Sequence, residues 1–123
     1  MMQNVTYNNS LEIQGKYFAD FLFKKKARAK FHNLKIRCKR KNLGIKISSK
    51  DFIEWFFIQE DACEYCERKL NRFLLQIDRK IAGVEYSIDN IVLACSTCNR
   101  VKNNIFTYKE FKEIAKTYSL NKR

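Results

Sequence analysis

The chain has no proline, three glycines and a single histidine among its 123 residues. It also lacks any apolar run near the roughly 20 residues needed to cross a bilayer, which sets aside a membrane-spanning reading. Met1 to Ser10 is polar and lacks the basic-then-apolar layout of a signal peptide, so an intracellular, non-secreted protein is expected, in cytoplasm, nucleoid or organelle matrix. No internal repeat or low-complexity tract is present. The missing proline, with abundant Lys, Asn, Ile and Phe, hints at AT-rich coding and is silent on function. What is there suffices for one folded domain: 46% of residues are hydrophobic, ordinary for a chain with a buried core.

Acidic residues are scarce in the first half. Residues 1–50 carry 13 Lys or Arg against Glu12 and Asp20, whereas residues 51–123 are nearly balanced, 12 basic against 11 acidic. Most of the net charge of +12 therefore sits in one segment. Such a surface attracts polyanions through counterion release, and nucleic acid is the expected partner rather than a membrane. The candidate contacts are Lys24, Lys25, Lys26, Arg28, Lys30, Arg37 and Arg40, with Lys80, Arg100 and Lys102 further along. A solvated basic helix, or an acidic protein partner, is the plainer alternative.

Met1–Ser10 reads as a disordered lead, followed by a basic helical arm over 11–46. No Pro or Gly interrupts Lys16 to Asn42, where Phe18, Phe21, Leu22, Ala29, Phe31 and Leu34 recur near helical spacing. Asn42-Leu43-Gly44 is the stop signal. Ser48 with Asp51, and Thr107 with Glu110, have the spacing of capping boxes. They predict helices over 49–59 and 108–118, with Phe52, Trp55, Phe56, Phe111, Ile114 and Ala115 facing the core. Phe73 to Asp78 alternates like a strand, Ile91 to Ala94 is a second strand, and Lys80 to Asp89 is their loop. Ser96 to Asn103 can form two helical turns capped by Ser96 or Thr97.

Cys63-x-x-Cys66 and Cys95-x-x-Cys98 are two chelating pairs separated by 28 residues. Each pair can place two thiolates on one tetrahedral Zn²⁺, and the strand–loop–strand between them returns the second pair to the first. Four sulfur ligands make such a zinc structural. A redox role lacks the βαβ setting that redox Cys-x-x-Cys pairs have. Cys38 stands apart as an unpaired cysteine.

Ile77-Asp78-Arg79, Tyr86-Ser87-Ile88-Asp89-Asn90 and Cys95-Ser96-Thr97-Cys98-Asn99-Arg100-Val101-Lys102 together resemble the HNH nuclease family. The likeness runs from about Cys63 to Phe111. It implies an α+β fold: a helical N-terminal part, a zinc-stapled ββα-metal motif within 47–123, and a C-terminal helix. It further implies an endonuclease hydrolysing phosphodiester bonds in DNA, with Asp78 and Asn99 holding a catalytic Mg²⁺ or Mn²⁺ and Asn90 orienting the loop. Relatives usually place a His after the metal-binding Asp, as general base. Here Arg79 stands in that position, as in the Asp-Arg branch of the family. An arginine cannot accept a proton near neutral pH, but it can grip a phosphate. Tyr86, His32, a neighbouring phosphate or a hydroxide on the ion remain as proton acceptors. The competing reading is an inactive, zinc-stabilised nucleic-acid-binding protein of the same fold, in the manner of a structural part of an RNA–protein assembly. Pairing of two chains into a homodimer stays open.

Overall fold

A computed structural model describes the backbone of residues 2–117 and the side chains from Ala19 onward. The end predicted for the last helix, residue 118, lies outside the described residues, as does the side chain of Phe18. The elements run, in order, α1 (Met2–Arg40), α2 (Ser49–Phe57), β1 (Gln76–Arg79), β2 (Ile91–Ala94), α3 (Ser96–Lys102) and α4 (Tyr108–Thr117). Short 3₁₀ turns at Arg72–Leu74 and Ile88–Asn90 precede the two strands. This is an α+β arrangement: two helices first, then a two-stranded antiparallel sheet, then α3 and α4.

α1 is one continuous helix of 39 residues, and it takes in Met2–Ser10, the stretch expected as a disordered lead. Gly15 weakens the helix locally without ending it, and with no Pro in the chain the helix runs on to Arg40. Its end is a Schellman turn. Asn42 sits at φ 56°, its N–H reaches the Lys39 carbonyl at 3.3 Å, and the Leu43 N–H reaches the Cys38 carbonyl at 2.8 Å. The buried stripe is Ala27, Phe31, Leu34 and Cys38, with Phe23 half-buried behind it. Phe21, Leu22 and Ala29 face solvent, contrary to the periodicity reading. The charged residues around them left more than one apolar stripe available, and contact with α2 selects this one. Cys38, unpaired as expected, is the last residue of that stripe rather than a surface thiol.

α2 begins at the Ser48 cap, whose Oγ accepts the Asp51 N–H at 3.1 Å. It buries Phe52, Trp55 and Phe56. Phe52 stacks on Phe31 of α1 with centroids 4.9 Å apart, and Phe56 meets Phe23 and Phe73 at 5.8 and 5.1 Å. The aromatic stripe is thus core, each ring contributing roughly 1.5–3 kcal/mol by leaving water. At the other end of α2, Arg72 Nη1 donates to the Phe57 and Phe56 carbonyls at 2.7 and 3.1 Å, answering carbonyls that the helix leaves open. The Thr107–Glu110 box at α4 is reciprocal: each backbone N–H is accepted by the other side chain, at 2.9 and 3.3 Å.

The strand expected from Phe73 starts three residues later. Asn71 accepts the Phe73 N–H at 2.9 Å and its carbonyl takes the Leu74 N–H at 2.8 Å, closing a 3₁₀ turn where alternation predicted extension. From Gln76 the ladder is regular, pairing Gln76 with Ala94, Asp78 with Val92 and Arg79 with Ile91. α3 is capped not by Ser96 or Thr97 but by Cys95, whose Sγ accepts the Cys98 N–H at 3.4 Å. Among the described residues no helix is long and apolar enough to cross a membrane.

Candidate metal centre and cleft

Cys63, Cys66, Cys95 and Cys98 are buried, and their sulfur atoms all lie within 4.8 Å of one another. The Sγ atoms of Cys66 and Cys95 are 3.8 Å apart, and 2.3 Å bonds to a tetrahedral ion require a sulfur–sulfur edge of about 3.8 Å. The first knuckle is a tight hairpin: Glu67 takes φ 63° and donates to the Cys63 carbonyl at 3.0 Å, while the Cys63 N–H reaches the Arg68 carbonyl at 2.8 Å. The Glu64 N–H bonds the Leu93 carbonyl of β2 at 2.9 Å, which pins this knuckle to the sheet beside the second one. The thiol chemistry asks for a cation. A hydrogen bond with Cys98 holds Cys63 down at about 4. Burial pushes Cys66 up to about 11, and the bond to Cys63, followed by burial, pushes Cys98 up as well. Thiolates packed this closely repel one another, and a positive ion at their centre relieves that repulsion. The donor set thus suits a structural metal such as zinc.

One face of the hairpin opens on a cleft of about 560 Å³ lined by residues of α1, the sheet, the loop and α3, among them Arg37, Asp78, Arg79, Tyr86, Asn99 and Arg100. Asp78, on β1, is buried and uses Oδ2 for two contacts. The Tyr65 hydroxyl donates to it at 2.5 Å, and Lys102 Nζ lies 3.2 Å away. Asn99, in the first turn of α3, directs its amide nitrogen to Gln76 Oε1 at 2.5 Å, which leaves its oxygen available. Asp78 Oδ1 and Asn99 Oδ1 are hard donors on one cleft, the type that suits Mg²⁺ or Mn²⁺.

Asn90 is buried one residue before β2. Its Oδ1 accepts the Ile81 N–H at 3.0 Å. Its Nδ2 reaches the carbonyls of Ile81, Val84 and Glu85 at 3.1, 3.2 and 3.1 Å. The loop that leaves β1 after Arg79 and carries Tyr86 is therefore folded around this one side chain. The Arg79 guanidinium lies 5.0 Å from the Tyr86 ring centre and donates to the Val84 carbonyl at 3.3 Å. Arg37 Nη2 comes from α1 to within 3.4 Å of both the Tyr86 hydroxyl and the Ile77 carbonyl.

The basic residues separate into groups. Arg37, Arg79 and Arg100 converge on the cleft, joined by Lys41, which the charge pattern did not single out. Lys25, Lys26, Arg28 and Arg40 are exposed along α1, and Lys24 pairs with Asp20 at 3.2 Å. Lys30 is half-buried and bonds the Phe73 carbonyl at 3.3 Å; burial, then Arg37, holds its ammonium below the ordinary lysine range. Lys80 lies 5.2 Å over the Tyr108 ring. Lys102 corrects the sequence reading: expected as a surface phosphate contact, it is fully buried, held by Asp78 and by the Arg79 carbonyl at 2.9 Å. Its spacing carried a signal, since Lys102 stands four residues after Cys98 on the inner face of α3. His32 is exposed on α1 and is not among the cleft residues. Tyr65 and Gln76 were missed altogether; they act only through partners that fold brings near.

Residues 63–104 match the family model described as HNH endonuclease. An uncharacterized protein of Acanthamoeba polyphaga mimivirus is 35% identical over 65 residues, 53% of this chain, and the match spans only 12% of that viral protein. The solved structure of PacI, a rare-cutting HNH restriction endonuclease that perturbs DNA, superposes with a TM-score of 0.66 at 23% identity, covering 75% of each chain. The cysteine-framed hairpin thus matches the HNH endonuclease model, in a chain whose fold is similar to that of PacI.

Proposed function

We propose that this protein is a metal-dependent HNH-type endonuclease that hydrolyses phosphodiester bonds in DNA, with a structural Zn²⁺ on its four cysteines. The observation that carries the reading is the pairing of Asp78 and Asn99 on one arginine-lined cleft, inside the segment that matches the HNH family. Asp78 and Asn99 would hold the catalytic Mg²⁺ or Mn²⁺, which when bound supplies Lewis-acid stabilisation of charge on the scissile phosphate and leaving oxygen. Arg79, in the place of the usual His, grips a phosphate oxygen, its guanidinium seated on the Tyr86 ring. Arg37 and Arg100 neutralise flanking phosphates at the cleft rim. Tyr86, on the same cleft with its hydroxyl 3.4 Å from Arg37 Nη2, is the side chain that would move a proton. Asn90 holds the loop that carries Tyr86 against the end of β1, where Arg79 stands. The exposed lysines of α1 bind the DNA backbone at a distance from the cut.

A supercoiled-plasmid nicking assay with Mg²⁺ or Mn²⁺ tests this. Wild-type protein converts the plasmid to nicked or linear form, and Asp78→Ala and Asn99→Ala lower the rate by about 100-fold or more while still binding DNA. Intact plasmid with every metal, or an Asn99→Ala variant that cuts like wild type, sinks the mechanism. The first of those outcomes, together with tight binding, would favour the inactive nucleic-acid-binding reading that Arg79 suggests.

A further inference from the structure

The geometry points to Tyr65 as a positioning residue through which the first cysteine knuckle aims Asp78, an inference that rests on the nuclease reading above. Tyr65 lies between Cys63 and Cys66, so a metal on those sulfurs fixes the backbone on both sides of it. Its ring is buried edge-on against Phe111 of α4, centroids 5.1 Å apart at 89°, and packs beside Tyr108 at 5.7 Å. The ring therefore cannot swing, and its hydroxyl reaches across to Asp78 Oδ2 at 2.5 Å. Lys102 meets the same oxygen from α3, four residues after Cys98, and balances its charge.

The two contacts have different consequences. Lys102 brings a counter-charge, without which a buried carboxylate would be left uncompensated. Tyr65 brings direction. A carboxylate with one oxygen saturated by a fixed hydroxyl cannot rotate about its Cβ–Cγ bond, and its other oxygen stays turned toward an ion. Asn99 is held in the same way, by Gln76 on β1 and by Cys98 just before it. Both donors of the catalytic ion are thus steered by the cysteine cluster, Asn99 along the backbone of α3 and Asp78 through the Tyr65 side chain. The cluster does more than close the ends of the hairpin: it sets how tightly a second, different metal binds.

Tyr65→Phe isolates this role, because it keeps the ring and its packing and deletes only the hydroxyl. Mn²⁺ affinity of the zinc-loaded protein, followed by electron paramagnetic resonance without DNA, should weaken about tenfold to 100-fold, the range found when a partner of a metal ligand is removed. Zinc content, measured by mass spectrometry, should stay at one ion, and DNA affinity without Mn²⁺ should not change. In nicking assays at saturating DNA the loss should fall on kcat, with KM preserved. An independent arm needs no added metal. In wild-type protein the Tyr65 hydroxyl proton should give a protected downfield NMR signal that vanishes in Asp78→Ala. Unchanged Mn²⁺ affinity in Tyr65→Phe, or an unprotected hydroxyl proton in wild type, overturns the inference. Wild-type protein that binds no Mn²⁺ while keeping the protected proton instead overturns the catalytic-metal reading and confines Tyr65 to a structural contact.

Discussion

Replacing Asn90 by Ala should unfasten the cleft loop at a cost the hydrogen-bond geometry allows to be worked out. Four contacts of 3.0–3.2 Å end on this side chain: its oxygen accepts one N–H, and its two N–H hydrogens are shared among three carbonyls. At a net worth of about 1 kcal/mol for each of the three hydrogens involved, their loss gives a figure of about 3 kcal/mol. Two effects act on that figure. The carbonyls of Ile81 and Val84 belong to exposed residues and can bond water once the amide is gone, which lowers the loss. The space left by a buried side chain raises it again. A loss of about 2–4 kcal/mol follows, equivalent to a fall in Tm of about 6–15 °C for a domain of this size. Urea denaturation of the zinc-saturated protein measures it directly: the midpoint should fall with the slope unchanged. Asp89→Ala, one residue away and exposed, is the control and should change stability by less than about 0.5 kcal/mol. An Asn90→Ala variant that loses no more than this control would refute the idea that the loop is built around one amide. It would equally undercut the claim that Tyr86 owes its position to it.

Chelation of zinc should unfold residues 63–104, since structural zinc contributes about 10–16 kcal/mol of apparent folding free energy; near-UV circular dichroism during chelator titration checks this, and a retained tertiary signal would contradict it. Lys24, Lys25 and Lys26 changed together to Ala should flatten the salt dependence of DNA binding without altering the nicking rate at saturation; an unchanged slope would place this stretch of α1 away from DNA. Phe52→Ala, which removes a fully buried ring stacked on Phe31 and Phe56, should cost about 3–5 kcal/mol. Phe57→Ala, at a position 61% exposed, should cost less than about 1 kcal/mol, both variants being read by urea denaturation.

Features encoded locally were legible in the sequence, and features made by distant contacts were not. Both capping boxes, the Asn42 stop and β2 could be read because each depends on residues within five positions of one another. The four cysteines were readable for a related reason: each pair declares its ligand spacing within a single turn. The start of β1 was misread because the Asn71 side chain competes for the backbone, and alternation of apolar residues does not register that competition. The buried face of α1 was partly misread because Phe21, Phe23, Phe31 and Leu34 are all apolar, and only the position of α2 decides among them. Lys102 shows the largest gap. Its charge suggested a phosphate contact, while its burial against Asp78 exists only once α3 has docked on β1. Tyr65 was invisible for the same reason, its partner lying 13 residues away across the knuckle.

The joint between α1 and the hairpin restricts how proteins of this design can be recombined. The Tyr86 N–H bonds the Gly44 carbonyl at 2.9 Å, and the Lys46 N–H bonds the Tyr86 carbonyl at 2.8 Å. A Cβ placed on Gly44 would meet Glu85 Cβ at 3.0 Å. The segment after Asn42 is therefore a part of the cleft, not a tether, and a chimaera that grafts a foreign helical arm at residue 46 would carry away half of a backbone pairing. Exchange of arms can succeed only with the splice placed ahead of the Schellman turn, so that Asn42 to Ile47 travels with the hairpin it braces. Two modules separable in charge and composition are thus, at their seam, a single inherited unit.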